Sequence, residues 1–117
     1  MNQELFRHTF AQIDLAAIQL NFKVLKSMLE ANSFLCPMVK SNAYGHGDIE
    51  VVQSLEKEGV THIGVALLEE ALRLREHGVK DPEILVFGMV YKEAINYFIE
   101  NKITPVVSSF FELETLQ

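Results

Sequence analysis

Four short apolar runs, at residues 34–40, 60–66, 84–88 and 103–107, begin about 19 to 26 residues apart, and helical periodicity fills each gap between them. That alternation is the pattern of successive βα units, in which a crossover helix carries the chain back so that the strands run parallel. No linker or low-complexity stretch interrupts the array. It predicts an α/β domain, or part of one, built on a parallel sheet. Pro37 lies inside the first run and has no backbone donor, which predicts an edge position or a local irregularity there.

Leu15, Ile18, Phe22, Leu25, Met28 and Leu29 recur at three- and four-residue steps and predict a helix over 14–31 with Asp14 as its cap. Asp48 is expected to cap a second helix, with Ile49, Val52 and Leu55 on its apolar face and Gly59 as its stop. Residues 67–77 and 92–101 read as the third and fourth helices. Ser109 followed by Glu112 is a capping-box pattern, so another helix has begun when Gln117 is reached. A helix that short draws its stability from packing, which predicts that these 117 residues are the front part of something longer. Residues 8–14 alternate like a strand whose partner lies elsewhere.

Charge excludes one class of function. A net charge of −6 without a Lys/Arg cluster argues against nucleic-acid binding, which needs a basic patch. The N-terminus lacks the basic-then-apolar order of a secretory signal, and no apolar stretch approaches the roughly 18 residues that span a bilayer. A cytoplasmic protein is expected. The single cysteine, Cys36, reads as a small buried hydrophobe.

The stretch MVKSNAYGHGD, residues 38–48, concentrates the chemistry. Lys40 stands at the carboxyl end of the first run, the end at which parallel α/β folds carry their sites. A lysine there either pairs with a phosphate or serves as an amine that forms a Schiff base. Gly45 and Gly47 allow a sharp turn and a close backbone approach, and Tyr44 offers a hydroxyl on a rigid ring. The pattern is neither the phosphate loop nor the dinucleotide fingerprint. From the residues alone, a solvated turn and a site for an anionic cofactor attached through an amine both remain open.

VKSNAYGHGD closely resembles the VKANAYGHG signature of the alanine racemases, with Ser41 where alanine is commoner. FAQIDLAAIQLNF is similar to that family's opening strand and first helix, GVALLEEALRLREHGV to its second strand and third helix, and ILVFG to its third strand. The resemblance implies an α/β fold, the N-terminal half of a pyridoxal 5'-phosphate (PLP)-binding (β/α)8 TIM barrel, truncated after about four βα units. It divides the chain into an N-terminal strand segment, 1–13, and a partial barrel domain, 14–117.

The function so implied is PLP-dependent interconversion of L-alanine and D-alanine, which supplies D-alanine for peptidoglycan. By position, Lys40 matches the lysine that holds PLP and acts as one of two acid/base groups at the substrate α-carbon. Tyr44 matches the tyrosine that reaches the PLP phosphate, and Phe87 falls where the family places an apolar residue of the cofactor pocket. Asn42 and His46 are expected to shape the turn. In the family the opposite-face base is a tyrosine from the C-terminal domain of a partner subunit in a homodimer with shared active sites. The 117-residue chain is therefore expected to be inactive alone, and no metal is expected. The alternatives are another PLP-barrel amino-acid racemase, for serine or with broad specificity, a PLP-barrel decarboxylase, or a non-enzymatic PLP-binding barrel protein. His62, within a strand, His77, at a helix C-terminus where it complements the dipole, and His8, near the terminus, are expected to have no direct role.

Overall fold

Asp14 begins the first helix, its carboxylate accepting the Ala17 N–H at 3.0 Å. In this computed structural model, which describes residues 9–117, that helix is α1, Leu15–Ser27. The others are α2 (Asp48–Glu56), α3 (Leu68–Glu76), α4 (Ile95–Glu100) and α5 (Phe110–Thr115), alternating with β1 (His62–Val65), β2 (Glu83–Val86) and β3 (Ile103–Pro105). A 3-10 turn, Lys92–Ala94, leads into α4, so the fourth helix is split where a single one over 92–101 was expected.

The strands form one parallel sheet in the order β1-β2-β3. Ile63 pairs with Ile84 and Ile84 with Ile103, and two residues on Val65 pairs with Val86. All five side chains are buried, together with Val52 and Leu55 of α2, Ala71 and Leu74 of α3 and Phe98 of α4. The alternation of a strand puts the next residues on the other face. That face carries Gly64, Leu85 and Thr104, in register with one another and with Met38.

The first apolar run does not become a strand. It makes a single parallel bridge, Met38 to Gly64, in which Gly64 donates its N–H to the Pro37 carbonyl at 2.9 Å and Val39 donates to the Gly64 carbonyl at 2.8 Å. The rung before it would need an N–H from residue 37, and proline has none; the rung after it would need the Ser41 and Ala66 N–H groups, which go to Glu70 instead. The sheet therefore has three strands and one bridge rather than four strands. Residues 9–14 also lack regular structure, so the strand expected over 8–14 is not formed in its described part; His8 lies outside the described residues.

Two further expectations change at α1 and α2. α1 ends at Ser27, and Leu25 and Met28 stay exposed, because α1 lies along α2 and only Phe22 is buried, with Leu15 and Ile18 partly so. Asp48 is the first residue of α2 and not its cap: the carbonyl of Gly47 accepts the first helical bond, from Val51 at 3.0 Å. Among the described residues no helix is long and apolar enough to cross a membrane.

Candidate functional site

Lys40 stands two residues beyond the Met38 bridge, at the carboxyl edge of the sheet. Immediately after it the backbone changes hand. Ser41, Asn42, Ala43 and Tyr44 have φ of 52°, 56°, 52° and 54°, so the turn Lys40–Tyr44 is a left-handed coil made without glycine. Such a conformation costs about 1–2 kcal/mol for each L-residue. Four in succession cost an amount comparable with a good part of a domain's net stability of about 5–15 kcal/mol. The surroundings must over-determine it.

They do so through hydrogen bonds. Ala43 donates its N–H to the Val39 carbonyl at 2.9 Å, and the Gly45 and Gly47 amides converge on the Asn42 carbonyl at 3.1 and 3.0 Å. Gly45 and Gly47 both have φ of 89°, a region that L side chains rarely occupy. His46 bonds the Ala43 carbonyl twice, through its backbone N–H at 3.1 Å and through Nδ1 at 2.9 Å, which puts the ring proton on Nδ1. Asn42 Oδ1 accepts the Asp48 N–H at 3.1 Å. Asn42 and His46 thus shape the turn.

A second tier of contacts comes from α3. Glu70 accepts the Ser41 N–H on Oε1 at 2.6 Å and the Ala66 and Leu67 N–H groups on Oε2 at 2.9 and 3.0 Å. One turn further along, the Arg73 guanidinium pairs with the buried Asp48 carboxylate and reaches Asn42 Oδ1 at 3.4 Å. α3 therefore grips the left-handed turn at its start, through Ser41 and Asn42, and the helix that follows it, through Asp48. Neither residue was singled out in the sequence. Both lie in LEEALRLR, where Glu70 and Arg73 are three apart on one helix face, and that spacing next to a strand end was the available signal.

The coil brings Lys40 and Tyr44 together, with Lys40 Nζ 5.9 Å from the centre of the Tyr44 ring, within cation–π range. The phenol is exposed. Phe87 follows β2, its N–H bonded to the Val65 carbonyl at 3.0 Å, and its ring lies over Gly64. A Cβ on Gly64 would stand 3.0 Å from Phe87 Cε2 and would run into the Met38 side chain. Glycine at that position lets two large side chains cover the sheet just beneath the rim that carries Lys40.

The remaining candidates have structural settings. Burial pushes the Cys36 thiol up, away from the reactive thiolate. His77 caps α3, with Nδ1 donating to the Arg73 carbonyl at 2.8 Å. His62 stacks on Phe34 with ring centres 4.0 Å apart and sits 3.3 Å from Glu83 Oε2.

The model of the alanine racemase N-terminal domain matches residues 13–117. The chain belongs to the alanine racemase N-terminal domain family. Among similar alanine racemases, that of Staphylococcus carnosus is 38% identical over 110 residues, covering 94% of this chain and 28% of that protein. That of Listeria monocytogenes serotype 4a is 45% identical over 101 residues, covering 86% and 27%. Among solved structures, the alanine racemase of Clostridium difficile 630 in complex with cycloserine superposes with a TM-score of 0.84 at 35% identity, over 97% of this chain and 31% of that one. The alanine racemase of Bartonella henselae with covalently bound pyridoxal phosphate gives 0.78 at 28% identity, over 87% and 28%. The chain thus spans under a third of the length of these alanine racemases.

Proposed function

We propose that this chain carries the cofactor-bearing part of an alanine racemase, a PLP-dependent isomerase that interconverts L-alanine and D-alanine and so supplies D-alanine for peptidoglycan. One observation carries the reading: Lys40 stands at the carboxyl edge of a parallel sheet, and a left-handed turn returns the Tyr44 ring to within 5.9 Å of its amine. Residues 14–117 are read as part of a (β/α)8 barrel, with 1–13 as a separate N-terminal segment.

The residues present fit PLP. An amine suits its aldehyde, an exposed phenol four residues on suits its phosphate, and the half-exposed Phe87 ring over Gly64 supplies an apolar wall. PLP, when bound, delocalises the electron pair left behind when an amino acid loses its α-proton. Lys40 Nζ would accept that proton, or return it, on one face of the alanine α-carbon. Tyr44 Oη would donate to a phosphate oxygen, and Phe87 would limit access of water from the sheet side. Racemisation also requires an acid/base group on the opposite face. We assign it to a partner subunit of a homodimer, in the portion of the relatives beyond the span matched here, and we place the enzyme in the cytoplasm.

The test is chemical. After PLP treatment, borohydride reduction and peptide mapping, label is expected on Lys40 and not on Lys23, Lys26, Lys57, Lys80, Lys92 or Lys102; in a separate, unreduced sample, alanine is expected to exchange its α-proton with solvent. Label elsewhere with Lys40 clean would overturn the assignment.

A further inference from the structure

We propose that Glu70 is the positioning residue of Lys40, a role that rests on the reading of Lys40 as the cofactor-bearing amine. A helix-capping glutamate at this position needs only one backbone donor, the N–H of Leu67. Glu70 takes three. Its Oε2 holds Leu67 and also Ala66, at the end of β1, while its Oε1 reaches across 29 positions to the Ser41 N–H at 2.6 Å.

Ser41 is the first residue of the left-handed coil, and its N–H belongs to the peptide group it shares with Lys40. Fixing that peptide plane fixes the backbone of Lys40 on its carboxyl side, hence the direction in which its side chain leaves the rim. The backbone just before Lys40 is tied to β1 by the Val39 N–H, which donates to the Gly64 carbonyl at 2.8 Å. Ala66 and Leu67 directly follow the strand that makes this second contact. One carboxylate therefore ties the Lys40–Ser41 peptide to the end of β1, at the point where the backbone enters the left-handed region. Each oxygen acts only as an acceptor. A carboxamide cannot replace it without turning an N–H2 toward either Ser41 or the Ala66 and Leu67 pair.

Glu70→Gln is the main variant because it keeps the shape, and Glu69→Gln, at an exposed position, is the control. Two readouts are taken: amide hydrogen exchange at Ser41, and borohydride-trapped PLP label on Lys40 at limiting PLP, normalised to label on Lys80. In Glu70→Gln, Ser41 exchange is expected to accelerate and the Lys40/Lys80 ratio to fall roughly tenfold, the equivalent of one lost charge-assisted bond, while the Ile84 and Val86 amides stay protected. The control is expected to match wild type in both. If Glu70→Gln fails to hold its fold, Ser41→Ala, which keeps the N–H, in combination with Glu70→Asp, reads the same two quantities. Wild-type Lys40 labelling in the variant, or unchanged Ser41 exchange, overturns the proposal alone. A wild-type chain that labels Lys80 in preference to Lys40 overturns the cofactor reading and this proposal with it.

Discussion

Arg73 on α3 donates to the carboxylate of Asp48 at the start of α2, and the Asp48 side chain is only 3% exposed whereas Arg73 remains 48% exposed. A carboxylate so enclosed depends on its partner. Arg73→Ala would leave it with the Ile49 N–H at 2.8 Å. The expected loss is about 2 kcal/mol, less than the ~3–5 kcal/mol of a fully buried pair because half of Arg73 is in water. Urea unfolding of Arg73→Ala, Asp48→Asn and the double variant checks this. The double variant should be less destabilised than the sum of the two, and additive losses would show that the pair is not coupled.

Gly64→Ala tests the cover over the sheet. The new methyl meets the Met38 side chain and the Phe87 ring, so a loss of about 1–3 kcal/mol is expected, as for other overpacked sites. Met38→Ala in the same background should recover part of it. Thermal melts of the three chains give the comparison, and a Gly64→Ala chain as stable as wild type would mean that Met38 and Phe87 move aside freely.

Tyr44→Phe separates holding the cofactor from reacting with it. Removing the hydroxyl should weaken PLP retention by at least about tenfold, since hydrogen bonds to charged groups contribute ~1.5–3 kcal/mol. The labelled residue at saturating PLP should still be Lys40. Equilibrium titration of PLP followed by peptide mapping reads both quantities; unchanged affinity would remove Tyr44 from the phosphate site.

Glu112 gives the fold a dependence on acid. The Ser108 N–H at 2.9 Å is the main cause, joined by the Ser108 and Ser109 hydroxyls, and together they hold its carboxyl below the ordinary range. A carboxyl depressed in the folded state stabilises above its unfolded value, and this stabilisation disappears as pH falls through the folded value. The stability difference between wild type and Glu112→Gln should therefore shrink on acidification through that window. Urea midpoints measured across the acid range provide the check, and a difference independent of pH would count against the assignment.

Much of the fold was legible because its signals are local. Periodicity and caps located α1, α3, β1, β2 and β3 to within a few residues, and Asp14 and Ser109 cap as their spacing predicts. The failure of residues 34–40 to form a strand follows on one side of the Met38 bridge from Pro37, whose presence was noted, and on the other from Glu70, which takes the Ser41 and Ala66 N–H groups. The left-handed coil was not legible. Ser, Asn, Ala and Tyr have no shared preference for positive φ, and what stabilises them arrives from Glu70 and Arg73, 29 and 31 positions away. Lys40 and Tyr44 were marked by motif and Phe87 by its place at the end of a strand, whereas Glu70 was read only as part of a helix because its partners are backbone groups that a sequence does not display.

The coil from Ser41 to Tyr44 winds as a D-peptide would. Chemical synthesis with an inverted α-carbon at Tyr44 would place that residue in its relaxed basin, yet the Cβ would then leave from the opposite side and carry the phenol away from Lys40. Glycine would relax the backbone equally and delete the ring. Only an L-tyrosine in the disfavoured hand puts the ring where it now lies, so the stereochemistry of the α-carbon and the position of the hydroxyl cannot be optimised separately. The strain at this rim is a stereochemical requirement of presenting a phenol beside an amine four residues earlier.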